Sequence, residues 1–99
     1  MTVKEKVGRR RYIAFTVDPS FTKGSLISAL RNSPGEPPYV IQCAEGWCIV
    51  RCPLKDVDDA IRAVRGADGS SVPLRTSGTL SALRDKYPEL KRLRPARKM

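Results

Sequence analysis

A two-residue turn between two β-rich segments is the feature that most constrains how this chain of 99 residues can fold. Residues 39–45 and 47–52 are rich in β-branched and aromatic side chains, and Glu45-Gly46 lies between them. A connection this short joins adjacent antiparallel strands. The sequence therefore predicts a β-hairpin here, and the rest of the chain must supply the elements that cover it.

Hydrophobic periodicity assigns the segments on either side of the hairpin. Residues 10–18 alternate with a period of two and are apolar on both faces, which is typical of a central strand. Thr22 and Ser77 precede helical patterns and are the expected N-caps of the first and third helices. Pro73 favours an edge strand, because proline cannot donate a hydrogen bond within a ladder. The predicted elements outside the hairpin are a strand at 10–18, a helix at 22–31, a helix at 54–65, a strand at 72–75 and a helix from 78.

This order of elements, β-α-β-β-α-β followed by a third helix, predicts an α+β fold. It is the pattern of a ferredoxin-like (RRM-like) sandwich, with a four-stranded antiparallel sheet, helices packed on one face and an additional C-terminal helix. The length suits a single domain, predicted at residues 10–87 after a flexible basic arm at 1–9. Residues 88–99 are predicted to be a basic tail, since they offer little apolar surface beyond Leu90 and Leu93.

The charge of the chain is concentrated at its two ends. The formal net charge is +9, of which residues 1–11 carry +4 and residues 84–99 carry +5, while residues 12–83 sum to zero. A neutral body with two basic ends is typical of a protein that binds a phosphate backbone. Arginine outnumbers lysine twelve to seven, which favours bidentate phosphate contacts.

The absence of histidine and of long apolar segments bears on the function and the location of the protein. No histidine is present, so the commonest general base and metal ligand is missing, and we expect no catalysis by the protein alone. No apolar run approaches the roughly 18 residues of a membrane span. The basic start is not followed by the apolar segment of a secretory signal. We therefore expect a cytoplasmic protein with no membrane partner.

The segment from Arg75 to Arg84 is the best candidate for a phosphate contact. It leads from the last strand into the third helix, where Ser77, Gly78 and Thr79 would offer backbone and hydroxyl donors. The two arginines flank this helix start and add cationic donors. On its own the same pattern also describes an ordinary capped helix on a protein surface, so both interpretations stay open at this point.

The three cysteines and the segment 45–52 each allow more than one interpretation. Cys43, Cys48 and Cys52 fit small buried core residues, and a metal or redox site is the alternative. Residues 45–52 loosely resemble the third-strand octet of RNA-recognition domains, in which aromatic side chains stack on bases. Trp47 fits either that role or a core position. A stand-alone RNA-binding module that acts by base stacking is thus a second alternative.

Three motifs follow one another along the chain. They are Arg-Arg-Tyr-Ile-Ala-Phe at 10–15, the run at 46–52 with its Ile-Val-Arg-Cys, and Ser-Gly-Thr-Leu-x-x-Leu-Arg at 77–84. Together they resemble the family of archaeal ribonuclease P protein component 2 and its eukaryotic counterpart, in the family's order and over about residues 9–87. The chain departs from these relatives at 32–38, where its connection is shorter.

The resemblance implies a non-catalytic subunit of a ribonucleoprotein endoribonuclease. In that family an RNA subunit removes the 5′ leader of precursor tRNA with Mg²⁺, so Mg²⁺ is expected on the RNA and no cofactor on the protein. The implied partners are ribonuclease P RNA, protein component 3 and, indirectly, precursor tRNA. A homodimer within a heterotetramer is the implied assembly, which the shortened connection leaves open. The residues predicted to contact RNA are Arg10, Arg11, Arg51, Arg75, Ser77, Gly78, Thr79, Arg84 and Lys86.

Overall fold

The computed structural model describes residues 10–32 and 37–93. These residues form four strands and four α-helices, with a short 3₁₀ turn at Leu54–Asp56 leading into the second helix. The elements in chain order are β1 (Arg10–Thr16), α1 (Lys23–Leu30), β2 (Tyr39–Ala44), β3 (Trp47–Pro53), α2 (Val57–Ala67), β4 (Val72–Ser77), α3 (Leu80–Lys86) and α4 (Pro88–Arg92). The predicted basic arm at 1–9 lies outside the described residues.

The four strands make one antiparallel sheet in the order β2-β3-β1-β4. The predicted hairpin is confirmed: Ala44 pairs with Trp47, and Glu45 and Gly46 both have positive φ, 51° and 88°. Two central residues of positive φ suit a type I′ turn, whose twist matches that of the strands. A Cβ on Gly46 would lie 3.3 Å from the Val17 carbonyl oxygen, so glycine also allows the close approach of the hairpin turn to the end of β1.

The predicted α+β class and the four-stranded antiparallel sheet are therefore confirmed, and the architecture is compatible with a ferredoxin-like fold. The N-cap of α1 is also as predicted. Thr22 Oγ1 accepts from Ser25 N at 3.2 Å, and Ser25 Oγ accepts from Thr22 N at 2.8 Å. This reciprocal pair forms a capping box.

One face of the sheet packs against α1 and α2. Alternate residues of β1, such as Ile13 and Phe15, point to this side. They meet Leu26 and Leu30 of α1 and Val64 of α2. We call this cluster the first core; its buried members are Ile13, Phe15, Val17, Leu26, Leu30, Val40, Cys43, Cys48, Val50, Cys52, Ala60 and Val64.

The opposite face of the sheet is covered by α3 and α4. Ala14 of β1 and Ile49 of β3 bury themselves there against Leu83 and Leu90, all four fully buried. We call this the second core; the partly buried side chains packed on it are Tyr12, Ile41, Trp47, Leu74, Leu80 and Tyr87. The helices α1 and α2 therefore share one face of the sheet as predicted, and the additional C-terminal helix, to which the sequence assigned no face, covers the other.

The C-terminal boundary differs from the prediction. Pro88–Arg92 forms a helix, with proline at its first position where the missing N–H costs nothing. Its Leu90 is fully buried, and the Leu90 carbonyl accepts from Gln42 Nε2 at 3.0 Å. Residues 88–93 therefore belong to the folded domain rather than to a tail that starts at 88. The helix has only five residues, too few for periodicity to reveal it.

The Asp68 side chain links the connection after β1 to the connection between α2 and β4. One of its carboxylate oxygens accepts from Asp18 N at 2.7 Å, and the other accepts from Ser70 N at 3.0 Å and Ser70 Oγ at 2.7 Å. The bond from Asp18 N is the main reason that the pKa of Asp68 is lowered, and the Ser70 hydroxyl adds to it. Hydrogen bonds to a carboxylate favour its charged form.

Candidate nucleic-acid interface

Four residues form a row that crosses all four strands near one end of the sheet. Arg51 of β3 is paired with Tyr39 of β2 on one side and with Tyr12 of β1 on the other, and Tyr12 is paired in turn with Ser77 of β4. Directly opposed residues of antiparallel strands point to the same face. Because Tyr12 packs on the second core, the row lies on the face of α3 and α4. We call these four residues the cross-strand row.

The exposed part of the cross-strand row combines a cation with an aromatic ring. The Arg51 guanidinium carbon lies 4.7 Å from the centroid of the Tyr39 ring, within the range of a cation–π contact. Tyr39 is 55% exposed. Arginine planes and aromatic rings are both surfaces on which unpaired RNA bases stack. The pair is thus suited chemically to single-stranded nucleic acid.

Two more arginines lie beside this row. Arg10 and Arg11 begin β1, opposite Pro53 and Cys52. Arg11 Nη1 donates to the Arg10 carbonyl at 3.2 Å, and it lies 3.5 Å from where a Cβ on Gly78 would be. A Cβ at position 78 would therefore be in ordinary van der Waals contact with this guanidinium. The structure brings together six of the predicted RNA-contacting residues at this end of the sheet, namely Arg10, Arg11, Arg51, Ser77, Gly78 and Thr79.

The helix start at this end differs from the prediction. Ser77 ends β4, and Thr79 is the N-cap of α3, with its hydroxyl accepting from Ala82 N at 3.3 Å. Ser77 Oγ instead accepts from Thr79 N at 3.2 Å, which makes a tight turn before the helix. The prediction of Ser77 as N-cap was wrong. The Thr79 amide, one of those expected to face a phosphate, is already bonded, and so is the Ala82 amide in the first turn. Since α3 also has only seven residues, this helix start is a weaker anion site than the sequence suggested.

The other three predicted RNA contacts lie apart from the row. Arg84 is half-buried, and its Nη2 and Nε donate to Gln42 Oε1 at 2.7 and 3.3 Å. Arg84, expected to add a cationic donor at the helix start, therefore bonds to a side chain of β2 instead. Lys86 is exposed in the last turn of α3, and Arg75 is exposed in β4 opposite Ala14.

Trp47 and the three cysteines have packing roles in this structure. Trp47 is half-buried on the second core, with its ring centroid 6.0 Å from that of Tyr87. Cys43 and Cys48 are directly paired across the hairpin, and both belong with Cys52 to the first core. The side-chain hydrogen bond between the Cys43 and Cys48 thiols and burial both raise the pKa of Cys48, and burial raises the pKa of Cys52. Within the described residues no group of three or more histidine, cysteine or acidic side chains is arranged to hold a metal ion.

The aromatic part of this candidate interface is not apparent from the sequence. Tyr12 and Tyr39 fall on predicted strands, and only the register of the sheet places them in one row with Arg51. Position in the alternation of β1 could have placed Tyr12 on the same face as Arg10. Tyr39 could not be placed in this way, because the ladder between β2 and β3 shifts register between Val40 and Gln42.

Comparison with known proteins leaves the chain without a family assignment: it matches no protein-family model and no curated protein. In the part of the chain that the structure describes, no helix has the length and apolar character needed to cross a membrane. The features that bear on function are therefore the charge of the chain, the geometry of the cross-strand row and the three sequence motifs.

Proposed function

We propose that the protein is a non-catalytic, RNA-binding subunit of ribonuclease P, which supports the catalytic RNA during removal of tRNA 5′ leaders. The observation that carries this proposal is the grouping of Arg10, Arg11 and Arg51 with the exposed Tyr39 at one end of the sheet. Arg10 directly continues the basic segment 1–9 of the sequence. The three motifs of the family resemblance supply the identity of the RNA.

The arginines would act by charge and position rather than by reading sequence. Guanidinium groups form bidentate contacts with phosphates, and such contacts fix the register of a protein on RNA. A partner that neutralises several phosphates reduces the number of cations the folded RNA needs. We therefore propose that the protein lowers the Mg²⁺ concentration at which the RNA is active; the Mg²⁺ itself belongs to the RNA, and no residue of this chain is assigned to it.

The domain is assigned within this proposal to the ferredoxin-like fold. The order of strands and helices and the sheet order β2-β3-β1-β4 support that assignment. The stand-alone module that stacks bases on Trp47 is disfavoured, because the centre of the sheet face that such a module would use is occupied. Ala14 and Ile49 lie there under Leu83 and Leu90.

The proposal includes protein component 3 as a partner, precursor tRNA as an indirect one, and a homodimer within a heterotetramer as the assembly. Strand β4 forms one edge of the sheet. Its Val72 is 50% exposed, and an edge strand with exposed apolar surface can pair with another chain. The connection at 33–36 lies outside the described residues. We therefore place the partner on the edge of β4, which the structure does describe.

Reconstitution tests the proposal. Ribonuclease P RNA and component 3 are assayed for cleavage of precursor tRNA at low Mg²⁺, with the wild-type protein or with Arg10→Ala/Arg11→Ala. A matched control is Arg62→Ala/Arg65→Ala, which removes the same charge from exposed positions of α2, packed on the other face. We expect stimulation by the wild type and the control and a clear loss with the first variant. The salt dependence of RNA binding should also become shallower by up to about two phosphate contacts. No stimulation by the wild type, or equal losses in both variants, would refute the proposal.

A further inference from the structure

A cavity of about 420 Å³ opens beside the exposed end of the cross-strand row. The sheet contributes Arg10, Tyr39 and Arg51 to its wall. The 3₁₀ turn contributes Asp56, and the first turn of α2 contributes Asp59. Its volume lies within the range of about 300–1,000 Å³ that is typical of small-molecule pockets. The cavity is therefore large enough to receive a nucleotide-sized ligand.

The two sides of this cavity carry opposite charge. Arg10 is exposed and Arg51 half-buried on the sheet side. Asp56 is half-buried on the helix side, and its carboxylate has no hydrogen bond or ion pair among the residues that the structure describes. Asp59 is exposed and paired with Arg62 at 3.2 Å. A phosphate would be repelled by the aspartates, so an anionic group must sit on the sheet side and hydrogen-bond donors must face Asp56.

Tyr39 supplies a third kind of contact. The Arg51 guanidinium covers part of its ring at 4.7 Å, and 55% of the residue remains exposed. An aromatic ring that a cation covers in part can still accept a planar group against its remaining surface. The wall thus offers stacking, a cationic side and a carboxylate acceptor side.

We propose that this cavity binds one unpaired guanosine monophosphate unit, with the base on Tyr39, its Watson–Crick edge toward Asp56 and its phosphate toward Arg10. This inference deepens the proposed function, on which it rests, by naming a nucleotide that the protein selects from single-stranded RNA. Guanine is the base whose edge presents two adjacent donor groups, N1–H and the exocyclic amine. A single carboxylate can accept from both, as in other recognition of base edges by side chains. Uracil, adenine and cytosine lack that pair of donors.

Fluorescence anisotropy with short labelled RNAs tests the inference. The probes are an eight-residue oligouridylate and the same strand with one central guanosine or adenosine, together with free 5′-GMP titrated by NMR. The variants are Tyr39→Ala, Tyr39→Phe and Asp56→Asn, with Asp58→Asn as the matched control, since Asp58 is exposed on α2 and does not line the cavity. Urea unfolding of each variant checks that the fold is intact.

We expect the guanosine strand to bind roughly 5- to 150-fold more tightly than the other two, the equivalent of about 1–3 kcal/mol of base discrimination. Asp56→Asn should remove that preference, and Asp58→Asn should keep it. Tyr39→Ala should weaken the guanosine strand by a similar factor, as expected for a lost stacking partner, and Tyr39→Phe should restore it. Binding of free 5′-GMP with the same response to the variants would show that the pocket accepts the nucleotide outside a strand as well.

Equal affinity for the three strands in a protein that still stimulates ribonuclease P RNA would overturn the pocket and leave the proposed function standing. Binding of 5′-GMP that depends on Asp56, without stimulation of that RNA, would support the pocket and refute the proposed function. Absence of both would refute both.

Discussion

The buried amide of Gln42 gives the sharpest stability prediction of this structure. Gln42 is 2% exposed; its Nε2 donates to the Leu90 carbonyl at 3.0 Å, and its Oε1 accepts from Arg84 Nη2 at 2.7 Å. One side chain therefore holds both α3 and α4 against the sheet. Since the bond from Arg84 is charge-assisted and buried in part, we expect it to contribute about 1.5–3 kcal/mol, and the bond to Leu90 about 0.5–1.5 kcal/mol.

Gln42→Leu keeps a side chain of similar volume and removes both hydrogen bonds. We expect it to lower the free energy of unfolding by about 2–4 kcal/mol, a large share of the roughly 5–15 kcal/mol that stabilises a small domain. Arg84→Ala also removes further contacts of that side chain, so its single value does not isolate the bond. A double-mutant cycle does, because those contacts cancel.

The assay is urea unfolding of the wild type, Gln42→Leu, Arg84→Ala and the double variant. We expect a coupling energy of about 1.5–3 kcal/mol between the two positions. The control cycle pairs Gln42→Leu with Arg62→Ala, an exposed residue of α2, which packs on the other face, and should be additive within about 0.5 kcal/mol. A Gln42–Arg84 coupling as small as that of the control would refute the docking of α3 on the sheet through this amide.

Three further predictions concern single side chains. Leu90→Ala should cost about 2–5 kcal/mol of unfolding free energy, whereas the same change at the half-buried Leu93 should cost clearly less; equal and small losses in calorimetry would show that α4 is not part of the core. Asp68→Asn should lower stability at neutral pH, because the lowered pKa of Asp68 contributes stability above about pH 4 that is lost as pH falls through its native value; a difference from wild type that persists unchanged at pH 2 would contradict this. Thr79→Ala should lower the free energy of unfolding by about 1 kcal/mol through loss of the N-cap, and by more than Ser77→Ala does; the reverse order in urea titrations would restore Ser77 as the cap.

The hairpin shows how far the sequence determines the fold. Gly46 and a two-residue connection fixed the pairing near the turn, and counting back from it correctly opposes Cys43 with Cys48. Continued without interruption, the same count would place Tyr39 opposite Cys52, on the side of the first core. The bulge between Val40 and Gln42 moves Tyr39 opposite Arg51 instead. An extra residue in one strand leaves no signature in hydrophobic alternation, so half of the exposed aromatic–cation pair could not be found from the sequence.

In the C-terminal region a helix could be predicted from the sequence, but its position on the sheet could not. The spacing of Leu80, Leu83 and Tyr87 in the sequence is typical of one apolar helical face, and these residues do pack on the second core. The burial of Gln42 in β2 could not be predicted. The free-energy cost of burying a glutamine depends on its hydrogen-bond partners, and these are far away in the sequence, at Arg84 and Leu90. The sequence could thus predict which helix is amphipathic but not which face of the sheet it covers.

The cover that α3 and α4 place on the sheet also sets an order for folding during synthesis. Every buried member of the first core lies between residues 13 and 64, so that side of the domain can form while the rest of the chain is still being made. The second core is closed by Leu83 and Leu90. Until those residues leave the ribosome, Trp47, Ile49 and Tyr12 remain on an open apolar surface, of the kind that chaperones bind and that promotes aggregation. The formation of α3 and α4 therefore determines when this apolar surface of the nascent domain is covered.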